Sequence, residues 1–255
     1  YYLTLFLVST SKKVFDNDKV IPFISSIALL VLTYLITTEI TKKRFAGIVS
    51  MVVVLQSGTF LIYDTNAAYP NFWILFYLLS LYMIYKKWPI SPISFICSLF
   101  TKPLTATFVP MTFFFTYRSS ISRKKKIFVT ISYIIIIIIG IVVFIERYGI
   151  LTEGMPALYP HQFWRAFNAV SYQLRYDALV LVLILPLTVG LFVASRKGIA
   201  HADSIMVLIA GMFLSQPLLA TFAYVYSEPY RFIALIIFFA MGIGTILSKK
   251  VNQMT

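Results

Sequence analysis

Few residues in this chain can do chemistry, and those few sit in apolar surroundings. Lys102 stands in Phe100-Thr101-Lys102-Pro103-Leu104, between two apolar stretches. An ionised amine in such a place is costly. It is retained where it meets an anion or a water-filled cavity, where it pairs with a carboxylate, or where it snorkels to an interface. Asp64 lies in Tyr63-Asp64-Thr65-Asn66. A carboxylate there can take a proton, bind a hydroxyl, help hold a metal, or simply cap a turn. His161 precedes a stretch with helical spacing and acts either as an acid-base group or as a capping residue. Glu228-Pro229-Tyr230-Arg231 sets a carboxylate three positions before a guanidinium. Arg231 can meet a phosphate or a sugar, or pair with Glu228.

The elements that must position these groups follow from composition. Of 255 residues, 60% are hydrophobic and 12% charged, and the mean hydropathy is +0.86. Soluble domains carry about a quarter charged residues, so the composition excludes a soluble globule. It also excludes disorder, because there is too much apolar surface to leave in water. Cys97 alone makes no disulfide framework, and two histidines, His161 and His201, argue against a copper or di-iron site.

Apolar runs predict an all-α polytopic bundle, a single membrane domain over 1–255, with seven crossings at 20–40, 45–62, 70–85, 127–145, 178–195, 204–226 and 232–248. Residues 1–19 form an outer segment, 20–145 hold membrane helices, 146–177 form an outer loop, and 178–255 hold membrane helices and a tail. Lys102-Pro103 splits 90–117 into two half-helices, 90–101 and 104–117. Together they make a hairpin, because proline removes a donor and clashes with the preceding turn. At helical rise, Lys102 lies about 18 Å from the basic face. Gln216-Pro217 predicts a kink.

With that layout, 14 of the 22 basic residues fall on one side against Glu39 and Asp203, a net of +12. They include Lys42, Lys43, Arg44, Lys86, Lys87, Arg118 and the run Arg123 to Lys126. The opposite side nets to zero, and Lys102 is the remaining charge. The positive-inside rule makes the first side cytoplasmic, with the C-terminus there, in a multi-pass protein of the cell membrane. The total of +13 therefore reports topology, not nucleic-acid binding. In the outer loop, Phe163, Phe167, Val170 and Leu174 recur at three- and four-residue spacing, which predicts an amphipathic helix lying in the interface.

Several segments resemble GT-C superfamily glycosyltransferases, in particular protein O-mannosyltransferases and aminoarabinose transferases. The early ones are Tyr1-Tyr2-Leu3, Ile21-Pro22-Phe23-Ile24-Ser25-Ser26 and the run from Tyr34 to Thr41-Lys42-Lys43-Arg44-Phe45-Ala46-Gly47. The resemblance continues in Tyr63-Asp64-Thr65 before the aromatic stretch Phe72 to Tyr85. It continues again in Phe100-Thr101-Lys102-Pro103-Leu104 with Pro110, and in Glu228-Pro229-Tyr230-Arg231-Phe232. It covers most of 1–250 in layout. It implies an enzyme that moves a sugar from a polyprenyl-phosphate donor to a glycan, lipid or protein acceptor on the outer face. Lys102 and Arg231 would hold the donor phosphate. His161, Glu228 and Tyr63 would contribute to substrate binding, and Asp64 matches the family's second acidic position as an assisting or substitute catalytic carboxylate. The superfamily admits a divalent metal, although no residues here have ligand spacing for one. The family's principal carboxylate lies in a first outer loop after a first helix. Asp16 and Asp18 come too late to match it, so the chain is expected to lack that helix and loop. Two other readings use the same residues. One is a lipid or solute transporter with Lys102 in a broken helix at mid-membrane. The other is a non-catalytic subunit bound to a membrane-protein partner.

Overall fold

A chain this apolar must satisfy its backbone groups within its own helices. The computed structural model describes residues 2–63, 70–148, 160–199, 201–221 and 232–250. Among them are twelve α-helices, two 3-10 segments and no strands. The helices are α1 (Tyr2–Phe15), α2 (Val20–Thr41), α3 (Arg44–Leu55), α4 (Gly58–Tyr63), α5 (Pro70–Lys86) and α6 (Ile90–Thr101). They continue with α7 (Val109–Arg118), α8 (Arg123–Tyr148), α9 (Pro160–Gln173), α10 (Ala178–Arg196), α11 (Ala202–Ala220) and α12 (Ile233–Lys250). The fold is all-α. By length and composition, α2 and α10 are able to cross a membrane, with mean hydropathies of 2.2 and 2.6. The apolar parts of α3, α6, α11 and α12 are shorter.

One expected crossing is interrupted. The run 45–62 divides into α3 and α4 at Gln56-Ser57, where the Ser57 hydroxyl accepts from the Phe60 amide at 3.0 Å. This side-chain bond starts a new helix. The expected 104–117 half-helix likewise opens as a 3-10 segment, Pro103–Phe108, before α7 begins.

The core is built around α12. All residues from Phe232 to Met241 are buried, as befits a helix that is apolar on every side. It packs against α3, α2, α5, α10 and α11. Small residues bring the backbones together. A Cβ on Gly244 would fall on the Ala46 carbonyl and the Ser50 hydroxyl of α3. One on Gly47 would lie 2.7 Å from the Tyr34 carbonyl of α2. Ser91 of α6 donates to the Ser80 carbonyl of α5 at 2.8 Å. The outer faces, in contrast, leave large apolar side chains uncovered. Leu179, Val182, Leu185, Val189 and Phe192 run along α10, and Ile127, Ile131, Ile134, Ile135, Ile138 and Ile139 along α8, all more than a third exposed.

Charged contacts gather at one end of the bundle. Glu39 bridges Lys42 and Lys86, the latter at 2.6 Å. Arg118 Nε meets Asp203 at 2.5 Å. The Lys43 ammonium donates to the Ser248 carbonyl at 2.8 Å. His201, in the turn before α11, holds a left-handed backbone with φ of 64° and bonds the Tyr85 hydroxyl at 3.3 Å. Burial against Tyr85 and Phe115 pushes its pKa down to about 4. Arg118, Lys42 and Lys126 add to that shift, and Asp203 opposes it.

Two outcomes follow from this packing. Gly244→Val forces α12 away from α3 and costs about 1–3 kcal/mol of stability. Gly140→Ala, whose Cβ meets nothing, leaves stability unchanged or raises it slightly; thermal unfolding of detergent-solubilised protein compares the two. The unfolded chain protonates His201 near its ordinary 6.5 and the folded chain only near 4. The unfolded state therefore binds more protons in between, so stability is full above about pH 6.5 and falls as pH drops through about 4. The loss amounts to about 3 kcal/mol in all. His201→Asn does not titrate and tolerates the same backbone. Its Tm should fall less than that of the parent between pH 7.5 and pH 4.5.

Candidate functional site

Lys102 is placed by the proline that follows it. A residue before proline is driven out of the helical region, and Lys102 has φ −152° and ψ 107°. This extended step ends α6 and starts the 3-10 segment, so the lysine stands at the tip of a broken hairpin. Hydroxyls hold the break in shape. Thr105 donates to the Lys102 carbonyl at 2.8 Å, and its own amide reaches the same oxygen at 3.0 Å. Ser98 donates to the Trp73 carbonyl at 2.8 Å, which ties α6 to α5. Thr101 donates to the Ser98 carbonyl at 2.6 Å. From outside the hairpin, Thr4 of α1 reaches the Thr101 carbonyl at 3.4 Å.

The Lys102 ammonium lies 5.2 Å from the centroid of the Trp73 ring. Trp73 in turn stacks on Phe108 at 5.4 Å. A cation–π contact of this kind is worth about 0.5–2 kcal/mol, and it fixes the direction of a flexible side chain.

The other expected site residues are dispersed. Tyr63 ends α4 and packs half-buried against the core. His161 is exposed in the first turn of α9, beside the Gln162 amide at 3.3 Å. Asp64, Glu228 and Arg231 lie outside the described residues. Residues 160–173 do form the expected amphipathic helix, but its apolar stripe is turned inward. Val170 and Ala166 are buried, and Phe167 meets Phe213 of α11 edge-on at 5.4 Å. Trp164 and Tyr172 stay exposed. Because α11 packs against both α9 and the 103–108 segment, it connects the aromatic helix to the lysine hairpin.

One acidic residue at this end carries no local signal of its importance. Asp177 precedes α10 and is buried, yet its side chain makes no capping bond to the helix. One carboxylate oxygen accepts from the Thr59 hydroxyl of α4. The other, Oδ1, is buried without a hydrogen-bond partner among the described residues. Asp177 lines a cavity of about 240 Å³ with Gln56, Ser57 and Val53 at the break between α3 and α4. A buried carboxylate oxygen without a donor is expensive. It is suited to accept a hydrogen bond from a bound donor. The sequence pattern marks Asp177 only as the end of a loop, because its partner is 118 positions away.

No protein-family description, characterised protein or solved structure matches the chain.

Replacing the carboxylate separates its bonded oxygen from its orphaned one. Asp177→Asn keeps an acceptor for Thr59 and removes the carboxylate oxygen that has no donor among the described residues, so Tm should hold or rise by a few degrees. Asp177→Ala strands the buried Thr59 hydroxyl and should cost about 1–3 kcal/mol. Equal losses in both variants, measured by thermal unfolding, would show that Oδ1 has a partner in the folded protein.

Proposed function

We propose that this chain is a polytopic membrane protein, of the GT-C type, that transfers a sugar from a polyprenyl-phosphate donor to an acceptor on the outer face. The membrane part of the reading is supported by the uncovered apolar stripes on α8 and α10, which lipid would cover and water would not tolerate. The gathering of Lys42, Lys43, Lys86, Arg118 and Lys126 at one end supports a cytoplasmic location for that end, with the C-terminus beside it. Helices too short to cross alone, α3 with α4 and α6 with α7, would cross or dip as pairs.

The observation that carries the chemical part is Lys102. It is a cation held at an extended step in an apolar hairpin and steadied by Trp73. A phosphate whose lipid tail enters from the bilayer would meet it there. In the transfer, the acceptor hydroxyl oxygen forms a bond to the anomeric carbon. The bond from that carbon to the phosphate oxygen breaks, and polyprenyl phosphate leaves with the electron pair. Lys102 stabilises the charge that grows on the leaving oxygen. A carboxylate takes the hydroxyl proton. Asp64 is the position that the resemblance to the superfamily supplies, and the uncompensated oxygen supports Asp177 as a second. Arg231, Glu228, His161 and Tyr63 would contact phosphate, sugar or acceptor around them.

Membranes containing the chain, supplied with radiolabelled polyprenyl-phosphate sugar, should label an endogenous acceptor. Lys102→Ala should lower the rate about a hundredfold, the scale of losing one oxyanion donor, and Lys102→Arg should recover part of it. Asp64→Asn and Asp177→Asn then identify the base by which of them removes the remainder. An unchanged rate in Lys102→Ala would refute the assignment.

A further inference from the structure

We propose that the basic end of the bundle holds an anionic phospholipid, with its headgroup phosphate between the end of α7 and the start of α8 and its acyl chains along the isoleucine face of α8. This rests on the membrane reading above but not on sugar transfer, which belongs to the opposite end of the hairpin.

The chain turns back between α7 and α8 and encloses an open cavity of about 790 Å³. Three cations line it, Arg118, Arg123 and Lys126, and no carboxylate lies among the described lining residues. Two of the three are held in place. Asp203 of α11 engages Arg118 through Nε, which steadies the guanidinium at the cavity wall. The Lys126 ammonium donates to the Tyr117 carbonyl at 2.6 Å and lies 5.8 Å from the Tyr117 ring. An ammonium has three protons, so donors remain for a second acceptor. Cations at fixed positions around a cavity of this size suit a phosphate better than a mobile surface charge does.

The cavity's apolar wall identifies the rest of the ligand. Ile127 and Ile131 line it. From there Ile134 and Ile138 continue the same side of α8 at three- and four-residue spacing, each at least 41% exposed. A free phosphate has no use for that stripe, whereas a lipid needs both parts. Basic pockets between helices at the cytoplasmic face are suited to anionic headgroups in this way. The phosphate takes the cations, and the chains cover the isoleucines.

The full chain is reconstituted in nanodiscs, and bound lipid is read by native mass spectrometry after release into neutral detergent. Phosphatidylglycerol should be retained about tenfold over phosphatidylcholine. The double variant Arg123→Gln with Lys126→Gln should abolish that preference. Arg123→Lys with Lys126→Arg, which keeps the charge, should preserve it and so exclude a folding defect. Inorganic phosphate or glycerol phosphate at millimolar concentration should displace the lipid poorly. Equal retention of the two lipids, or a preference untouched by the glutamine pair, overturns the proposal. Full displacement by inorganic phosphate overturns it as well, in favour of a soluble-anion site. If the chain is extracted from membranes by alkaline carbonate, the membrane reading itself fails. If it stays in the membrane without lipid preference, only the lipid site fails.

Discussion

The structure depends on how closely its helix backbones can approach one another. Along the series α12, α3, α2, α5 and α6, each contact is made through a small residue or a hydroxyl. Gly244 meets Ala46 and Ser50, Gly47 meets Tyr34, Asn71 bonds Ser26, and Ser91 and Ser98 bond carbonyls of α5. Between helices that are apolar on every side, burial alone does not select a partner. Close van der Waals contact and interhelical hydrogen bonds do. This explains why a chain so rich in leucine, isoleucine and phenylalanine has a defined neighbour for each helix. It also explains why α12, the most uniformly buried helix, carries glycines at 242 and 244 where α10 and α3 press on it. The large side chains then fill what the small ones leave, as Tyr77 does between Phe95, Phe108 and Phe238.

Much of this order is legible in the sequence because it is written in local rules. Hydropathy gives the helix positions 20–41, 70–86 and 178–196 to within a residue or two, since an apolar run of that length has few other options. Lys102-Pro103 gives the hairpin, because the steric rule that acts on a residue before proline needs no tertiary information. The charge pattern groups Glu39 with Lys86 and Arg118 with Asp203 on one side before any contact is known. The break at Gln56-Ser57 was less visible. The run on either side is apolar throughout, and only the serine's capping bond to Phe60 divides it.

What stays hidden is pairing at a distance. The stripe Phe163, Phe167, Val170, Leu174 has the same period whether it faces lipid or protein, and only the position of Phe213 on α11 decides for protein. Asp177 reads as a loop residue or a helix cap. Its bond to Thr59 and its second, uncompensated oxygen arise from the approach of α10 to α4, which no window of sequence contains. The two groups most able to act on a ligand are thus read by different means. Lys102 announces itself by its cost in an apolar run, and Asp177 is recognised only once its neighbours are known.

The difference between the two ends of the molecule follows from how their charges are answered. At the basic end, Glu39 serves two lysines and Asp203 one arginine, so the carboxylates are spent on fixing geometry and the surplus is positive. His201 sits within that surplus and is held neutral by burial, which removes one more positive charge from a crowded place. At the other end Lys102 lies over the Trp73 ring, and Asp177 accepts from the Thr59 hydroxyl. One hydroxyl serves only one of the two carboxylate oxygens, and Oδ1 has no hydrogen-bond partner among the described residues. A buried oxygen in that state is costly. A ligand that brings a donor to the cavity at the α3–α4 break recovers that cost, and a hydroxyl is such a donor.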